Sequence, residues 1–335
     1  MPSTAQLVKQ LRDATGAPMM ECKKALASPG VGGDVTRATE WLRKHGSAKV
    51  LSKVAGREAL EGLVGIKVSG TGTGLNVASV VRVSSETDFA ARSDALSSFV
   101  QEVADAAASA RVEDAFGAIA SKTTTTTVED VPGFLRGSET TSPDGTTVTS
   151  LEDRLGDATL AIRENLTVDS ITILRASTPH SVFGGYVHGR ASPTSTCGTS
   201  ASIVELVPIA GAGGGGANTV VVDGTRASEA ARRLAMHVVA ARPAYLDASS
   251  VPSDVVEKER EILAEKAKAD GGGGKTTRPP DIVEKIVSGQ MRKFYEGACL
   301  TEQAHMVEEG GPKVSKALAD LGLEVRSFVL VGMGK

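Results

Sequence analysis

The sequence predicts an α+β protein, because two different hydrophobic periods occur in separate parts of the chain. Apolar residues recur at helical spacing over residues 4–46, whereas a period of two begins at Gly62 and continues to Ser84. Further along, residues 253–269 and 281–296 are two charged helical segments that share a thin apolar seam. These observations predict an N-terminal three-helix module, an α+β core with antiparallel sheets and an antiparallel helical hairpin that projects from the core.

Helix-breaking residues divide the N-terminal region into three short helices. A Gly-Ala-Pro sequence at 16–18 places proline at a helix start, and Ser-Pro-Gly at 28–30 ends the second helix. Asp34 is a suitable N-cap for the third helix, and Gly46 favours its end. A unit of about 45 residues is marginal as an independent fold. We therefore expect residues 1–48 to form a small module that packs on another part of the chain.

The core begins with a predicted β-hairpin, whose strands are separated by Gly-Thr-Gly-Thr-Gly at 70–74. Its second strand leads into Glu-Thr-Asp-Phe at 86–89, after which helical spacing returns, so a strand changes into a helix at Asp88. Residues 122–150 contain a threonine run and are rich in Ser, Gly and Pro but poor in apolar residues. This composition is typical of a solvated linker, and we expect this insertion to be disordered.

The rest of the chain continues the α+β pattern. A helix is expected at about 151–164, β-like stretches at 166–175, 182–189, 201–208 and 218–223, a helix at 226–242 and a last strand at 325–331. The resulting domain assignment is 1–48 for the N-terminal module, 49–165 for the first core subdomain, 166–245 with 298–335 for the second core subdomain, and 246–297 for the hairpin.

The predicted hairpin has few residues with which to build a core. Its seam is supplied by Val256, Leu263 and Ala267 on one helix and by Ile282 and Ile286 on the other. Because such a protrusion contributes little to folding, its expected role is interaction with another molecule.

Charge and composition exclude several classes of protein. The chain has 335 residues, with 37 Lys and Arg against 40 Asp and Glu, and its net charge of −3 argues against direct nucleic-acid binding. No apolar run approaches the roughly 20 residues that a membrane helix needs, and the N-terminus lacks the apolar region of a signal peptide. The three cysteines are far apart and predict neither a disulfide framework nor a metal site, which favours a reducing compartment.

Motifs that would indicate catalysis are incomplete. Gly-Gly-Gly-Gly-Lys-Thr at 271–276 lacks the first glycine of a phosphate-binding loop, since Ala269 stands there. The glycines at 211–216 fit GxGxxG but precede a predicted strand, whereas a dinucleotide fold requires a helix. The five histidines have no metal-ligand spacing, so we expect no catalytic site, cofactor or metal. An enzyme with a site assembled from scattered residues remains an alternative.

Four ordered segments resemble one known family. They are LVKQLR with TGAPMMECKKAL at 7–26, ETDF at 86–89, LAMHVVA at 234–240 and KIVSGQMRKF at 285–294. In this order and at this spacing they are similar to the elongation factor Ts family, the nucleotide-exchange factors of elongation factor Tu. The resemblance covers residues 6 to about 330, and four motifs together are far more specific than any one of them.

This resemblance implies a fold and a function. The N-terminal module would resemble ubiquitin-associated (UBA) domains, the core would have two α+β parts, and the hairpin would be a coiled coil. The protein would be a binding protein without an active site, and its partner would be the GTPase elongation factor Tu, in a heterodimer or heterotetramer. Implied partner contacts are Lys9, Arg12, Met19 and Met20 with the G domain, Asp88 and Phe89 beside its Mg²⁺ and phosphate site, and Met236 and His237 with a second domain.

The residues considered without the resemblance give other interpretations. Asp88 would be a helix N-cap and Phe89 a core contact, and His237 would be a core histidine. Met19 and Met20 would pack within the module, and Lys9 and Arg12 would form a solvated face. A ubiquitin-like or nascent-chain binding module without exchange activity is the alternative function.

Some positions depart from the family pattern. Ala90 stands where valine is usual, Ile162–Leu166 only loosely resembles the sequence IGENI, and the C-terminal segment Phe328–Gly334 lacks the Arg and Glu of the usual ending. The Thr and Gly insertions and Glu40–Arg43 resemble the organellar (mitochondrial) type, which implies the mitochondrial matrix. The bacterial cytoplasm is the alternative compartment.

Overall fold

The computed structural model describes residues 3–15, 17–42, 54, 56–69, 76–110, 125–141, 148–190, 195–209, 224–269 and 279–334. These residues form two compact units. The first unit contains the described residues up to Ser177, those of Val187–Ala201 and those from Val331 onward. The second unit contains Thr178–Tyr186 and the described residues of Ser202–Leu330. Both units contain helices and strands, and the strands of the first unit pair antiparallel, which confirms the α+β class.

The first unit begins with three helices that surround their own apolar cluster. The helices are α1 (Thr4–Thr15), α2 (Met19–Leu26) and α3 (35–42). Asp34 accepts a hydrogen bond from the Arg37 amide at the start of α3, as expected of an N-cap. Leu160 from helix α7 (Leu151–Ile162) joins the cluster, so the three helices pack on that core helix. The resemblance to UBA domains stays a prediction.

A five-stranded sheet with the order β3-β6-β2-β1-β8 forms the centre of the first unit. Its strands are β1 (Glu61–Ser69), β2 (Val77–Ser85), β3 (Thr125–Thr127), β6 (Thr167–Arg175) and β8 (Cys197–Gly198). Strands β1 and β2 pair antiparallel over nine residue pairs, as the period of two predicted. After the short helix α4 (Asp88–Ala91), helix α5 (Asp94–Ser109) contributes Leu96, Phe99, Val100 and Val103 to the same core.

The expectation of disorder at 122–150 is wrong for the residues that the structure describes. Thr125–Thr127 is strand β3, and Val131–Gly137 is helix α6, capped by the Asp130 carboxylate. Strands β4 (Glu139–Thr141) and β5 (Val148–Ser150) then form a small ladder. Threonine has a high β propensity, and a few buried side chains are sufficient to anchor the segment: Val128, Phe134 and Leu135. Residues 122–124 and 142–147 lie outside the described residues.

Strand β6 belongs to a different part of the core from the one that the sequence suggested. The domain assignment placed residues 166–175 in the second core subdomain, but β6 pairs with β2, from Val77 opposite Arg175 to Ser84 opposite Thr167. The boundary between the compact units follows β6, at Ser177. Hydrophobic alternation predicts that a strand exists, but it does not indicate which strand lies beside it.

The second unit combines a three-stranded sheet with a long helix. The sheet has the order β10-β9-β7, formed by β7 (Val182–His188), β9 (Ser200–Pro208) and β10 (Leu323–Gly332). Helix α8 (Gly224–Ala241) and helix α11 (Val314–Ala319) share an apolar cluster with β9. The predicted strand at 218–223 lies outside the described residues, as do the glycine loops at 70–74 and 271–276.

Helices α9 (Ser253–Ala269) and α10 (Pro280–Ala298) pack against each other through a thin seam, in the region predicted as a hairpin. The assignment of Ile282 to the seam is wrong, because its side chain is 47% exposed. The buried members on α10 are Val283, Val287 and Met291, so the seam follows the neighbouring face of this helix. Whether the pair is a coiled coil stays a prediction. In the part of the chain that the structure describes, no helix has the length and apolar character needed to cross a bilayer.

Gly184 is required where β7 passes beneath α8. A methyl group at this position would overlap the backbone of Ala231 and Arg232. We therefore predict that Gly184→Ala lowers the free energy of unfolding by about 2 kcal/mol, a usual cost of overpacking. The measurement is urea-induced unfolding followed by circular dichroism.

Gly289→Ala is the matched control for this prediction. Gly289 is exposed within α10 and has no atom near its added methyl group, so alanine should raise stability by about 0.5 kcal/mol through helix propensity. Equal effects of the two substitutions would contradict the close packing at Gly184.

Candidate partner-binding surface

Phe89 is the most exposed large apolar side chain of the described residues, at 78% of its full exposure. It lies on helix α4, which follows β2 directly. The neighbouring Ala90 is buried and Ala91 packs partly against the core, so the short helix is anchored by two small residues while the aromatic ring faces solvent. The interpretation of Phe89 as a core contact is therefore wrong. In a chain with only 3% aromatic residues, this exposed ring is a candidate contact for a partner.

Asp88 lies beside Phe89 as the first residue of α4, and it is not the N-cap. Thr87 has that role, since its hydroxyl oxygen accepts the Ala90 amide at 3.3 Å. The Asp88 carboxylate is paired with the Arg92 guanidinium at 3.0 Å, but both side chains are more than half exposed. Such a pair contributes little to stability and can be exchanged for another partner at low cost.

Two glutamates hold the chain just before these residues. Glu164 accepts hydrogen bonds from the Thr87 amide at 2.9 Å and from the Thr87 hydroxyl at 2.7 Å. Glu86 in turn accepts the Asn165 amide at 2.6 Å. We call these four residues, Glu86, Thr87, Glu164 and Asn165, the carboxylate brace. No short-range pattern in the sequence indicates Glu164, because the residues that the brace joins are 77 to 79 positions apart.

The N-terminal candidates lie on the exposed faces of α1 and α2. Met19 and Met20 are 57% and 72% exposed, so the interpretation that they pack within the module is wrong. Lys9 and Arg12 are exposed on α1. Methionine is flexible and polarizable, which suits an adaptable apolar contact flanked by cations. These four residues belong to the first compact unit, as do Asp88 and Phe89.

The remaining candidates, Met236 and His237, lie on α8 in the second unit. His237 is fully buried: its Nε2 lies 3.0 Å from the Gln303 side-chain oxygen, and its Nδ1 accepts the Met306 amide at 3.2 Å. Burial lowers its pKa, which favours the neutral ring that this pattern requires. The interpretation of His237 as a core histidine agrees with this environment. Met236 is partly buried.

The described residues offer little for metal or thiol chemistry. They contain no cluster of His, Cys, Asp and Glu that could hold a metal ion. Cys22, Cys197 and Cys299 are free and buried, and burial raises the pKa of each thiol, that of Cys197 to about 11. A thiol with a raised pKa is a poor nucleophile at neutral pH.

Comparison with known proteins gives a consistent result. The family model described as "Elongation factor TS" matches residues 86–335. Proteins named elongation factor Ts from Paramagnetospirillum magneticum and Rhodospirillum rubrum are 37% and 36% identical, over 96% and 99% of this chain and 86% and 93% of their own lengths. One from Brucella anthropi is 36% identical over 100% of this chain and 94% of its own length. These relatives are bacterial, which is consistent with the bacterial alternative, and the organellar type stays a prediction.

His305 provides a prediction about pH, since its ring lies 5.1 Å from that of His237 and is buried. Burial, with smaller contributions from His237 and Arg233, lowers the pKa of His305 to about 4, from 6.5 in an unfolded chain. The unfolded state therefore binds more protons between these values, so this stabilisation is complete above pH 6.5 and is lost as the pH falls toward 4.

His305→Phe removes this titration, so the free energy of unfolding of the variant should depend less on pH. Between pH 7 and pH 4.5 the wild-type free energy of unfolding should fall by about 2 kcal/mol more than that of the variant. Urea-induced unfolding at four pH values measures the difference. Parallel pH profiles would show that His305 is not held neutral in the folded protein.

Proposed function

This chain belongs to the elongation factor Ts family, and from that premise we propose that it binds elongation factor Tu and promotes the release of GDP. The observation that carries the proposal is the outward display of Phe89 beside Asp88 on a turn whose backbone is hydrogen-bonded to the core. A partner surface is the natural environment for an apolar ring that its own protein leaves in water.

Nucleotide release by this route makes and breaks no covalent bond. A GTPase holds GDP through Mg²⁺ and through backbone amides around the phosphates. A carboxylate placed there competes for the cation and repels the phosphates, and an aromatic ring inserted nearby deforms the loop that carries the amides. Asp88 and Phe89 supply these two groups at adjacent positions. On this proposal the protein acts as an exchange factor and has no active site of its own.

The energy for release must come from differential binding. Coupling between two ligands is reciprocal, so a factor that weakens GDP a thousandfold must itself be weakened a thousandfold by GDP. That factor corresponds to about 4 kcal/mol. Complete burial of one phenylalanine supplies about 1.5–3 kcal/mol, so Phe89 alone is not sufficient. The remainder must come from other contacts that form only when GDP leaves, such as that of Asp88 with the cation. Contacts of the N-terminal module with the G domain, through Met19, Met20, Lys9 and Arg12, would be made in both states and would raise affinity without loosening GDP.

The proposed contact with a second domain of the partner differs for the two residues on α8. Contact through the partly exposed Met236 needs no rearrangement. Contact through the His237 ring would require Gln303 and Met306 to move first, because both are hydrogen-bonded to it.

The test is the rate at which fluorescent GDP leaves elongation factor Tu, with and without this protein. We expect acceleration by the wild type and a loss of at least about tenfold in the Asp88→Ala, Phe89→Ala variant, since about 1.4 kcal/mol of lost contact is a factor of ten. Val148→Ala, which truncates another exposed apolar side chain of the first unit, is the matched control. Circular dichroism checks folding.

The same assay separates the alternative function from the proposed one. A ubiquitin-like or nascent-chain binding module would keep its binding in the Asp88→Ala, Phe89→Ala variant and would not accelerate GDP release. A bacterial elongation factor Tu is the first partner to test because the relatives are bacterial, and a mitochondrial one is tested in parallel because the mitochondrial assignment stays a prediction. No acceleration with either partner would overturn the proposed function.

A further inference from the structure

We propose that Glu164 is a positioning residue, which through the carboxylate brace fixes the turn that displays Asp88 and Phe89. The inference rests on the proposed exchange function and adds to it a residue that does not touch the partner's nucleotide site. It is drawn from the hydrogen bonds around Thr87 and from the small size of helix α4.

Glu164 binds Thr87 through both oxygens of its carboxylate. One carboxylate oxygen accepts the Thr87 amide at 2.9 Å and the other accepts the Thr87 hydroxyl at 2.7 Å. The hydroxyl hydrogen is thereby directed to Glu164, which leaves an oxygen lone pair to accept the Ala90 amide at 3.3 Å. Glu164 therefore fixes both the backbone and the side-chain rotamer of the residue that caps α4. Hydrogen bonds to a charged carboxylate are stronger than neutral ones.

Each of the two turns joined by the brace contributes a glutamate that accepts hydrogen bonds from the other turn. Glu86 reaches in the opposite direction and accepts the Asn165 amide at 2.6 Å, while its carboxylate lies 3.4 Å from the Arg57 guanidinium. The Asn165 side-chain amide donates to the Arg57 carbonyl at 2.8 Å. The turn after β2 and the turn after α7 are thus joined in both directions. A single lost hydrogen bond elsewhere would not release the turn, whereas loss of Glu164 removes two at once.

Helix α4 cannot hold its own position. It has four residues, far fewer than a helix needs to be stable alone. Of these residues Ala90 is buried, and Phe89 contributes almost nothing to the core because it is 78% exposed. The Ser85 hydroxyl donates to the Thr87 carbonyl at 3.1 Å and the Ser93 hydroxyl to the Ala90 carbonyl at 2.7 Å, but only Glu164 holds both the amide and the hydroxyl of the capping residue. The start of α4, and with it the direction of the Phe89 ring, therefore depends mainly on Glu164.

The backbone at the end of α7 places Glu164 beside the turn that follows β2. Arg163 ends helix α7 in the left-handed region, at φ 65°, and its amide donates to the Thr159 carbonyl at 2.7 Å. Few residues other than glycine adopt this conformation. It reverses the chain so that Glu164 and Asn165 face the turn after β2, which is the geometry that the brace requires.

The first experiment measures the turn without any partner. Hydrogen exchange of the Thr87 and Ala90 amides is followed by NMR in the wild type, in Glu164→Ala and in Glu152→Ala. Glu152 is an exposed carboxylate on α7 that pairs only loosely with Arg136, at 3.9 Å, and serves as the matched control. We expect exchange of both amides to be at least tenfold faster in Glu164→Ala, with amides of β1 and β2 unchanged. Unchanged protection at Thr87 would overturn the brace.

The second experiment is a double-mutant cycle on GDP release at saturating protein. Glu164→Ala should lower the maximal release rate about tenfold while the half-saturating concentration changes less than threefold, because the N-terminal contacts are intact. In an Asp88→Ala, Phe89→Ala background, which removes both displayed groups, the same substitution should have almost no further effect. Glu164→Gln, which keeps one acceptor oxygen, should recover part of the rate.

The outcomes distinguish this inference from the proposed function. Acceleration by the wild type with equal effects of Glu164→Ala in both backgrounds would overturn positioning, because independent effects add. A wild type that does not accelerate release would overturn the proposed function and, with it, the role assigned to Glu164 in exchange. In that event the amide-exchange result still decides whether the carboxylate brace orders the turn.

Discussion

The double-sided pairing of strand β2 is the constraint on which the candidate surface depends. β2 is held by β1 on one side and by β6 on the other, and helix α5 packs on the same core. Pairing on both sides extends to Ser84, and Ser85 still pairs with Glu61 of β1. The end of the strand therefore has a fixed position, and Thr87, the cap of the helix that carries Asp88 and Phe89, follows two residues later. A strand at a sheet edge would hold the residues that follow it less firmly, since one row of its backbone groups would be unpaired.

The ordered backbone that carries the exposed Phe89 ring affects binding as well as folding. A loop that is ordered only on contact loses conformational entropy at that moment, and this loss lowers affinity. Here the ordering has already occurred in the free protein, through backbone pairing and through charged hydrogen bonds to Thr87. The N-terminal helices share an apolar cluster with Leu160, on the same helix whose end delivers Glu164. One core helix thus supports two separate groups of candidate contacts.

Local patterns predicted the local structure well. The β1–β2 ladder, the start of a helix at Asp88 and the cap at Asp34 depend on residues within a few positions of each other, and periodicity registers such neighbours directly. The wrong predictions concern which side chains are buried and which distant residues contact each other. A few buried side chains order the segment around Phe134 despite its polar composition, and Ile282 differs from Val283 only by its place around the helix. The Glu164–Thr87 contact joins residues 77 positions apart, and no short-range pattern indicates it.

The order of strands in the five-stranded sheet also bears on how this chain is made. The hairpin of β1 and β2 can pair soon after it is synthesised, but β6 and β8 follow only at residues 167–175 and 197–198. Until then β2 has an open edge, and open edges of this kind are prone to wrong pairing. About 200 residues must therefore leave the ribosome before all five strands of the sheet are present, at a synthesis rate of about 5–20 residues per second, and the described residues of this unit from Val331 onward follow later still. During those seconds the growing chain depends on its own short ladder, or on a chaperone, to remain soluble.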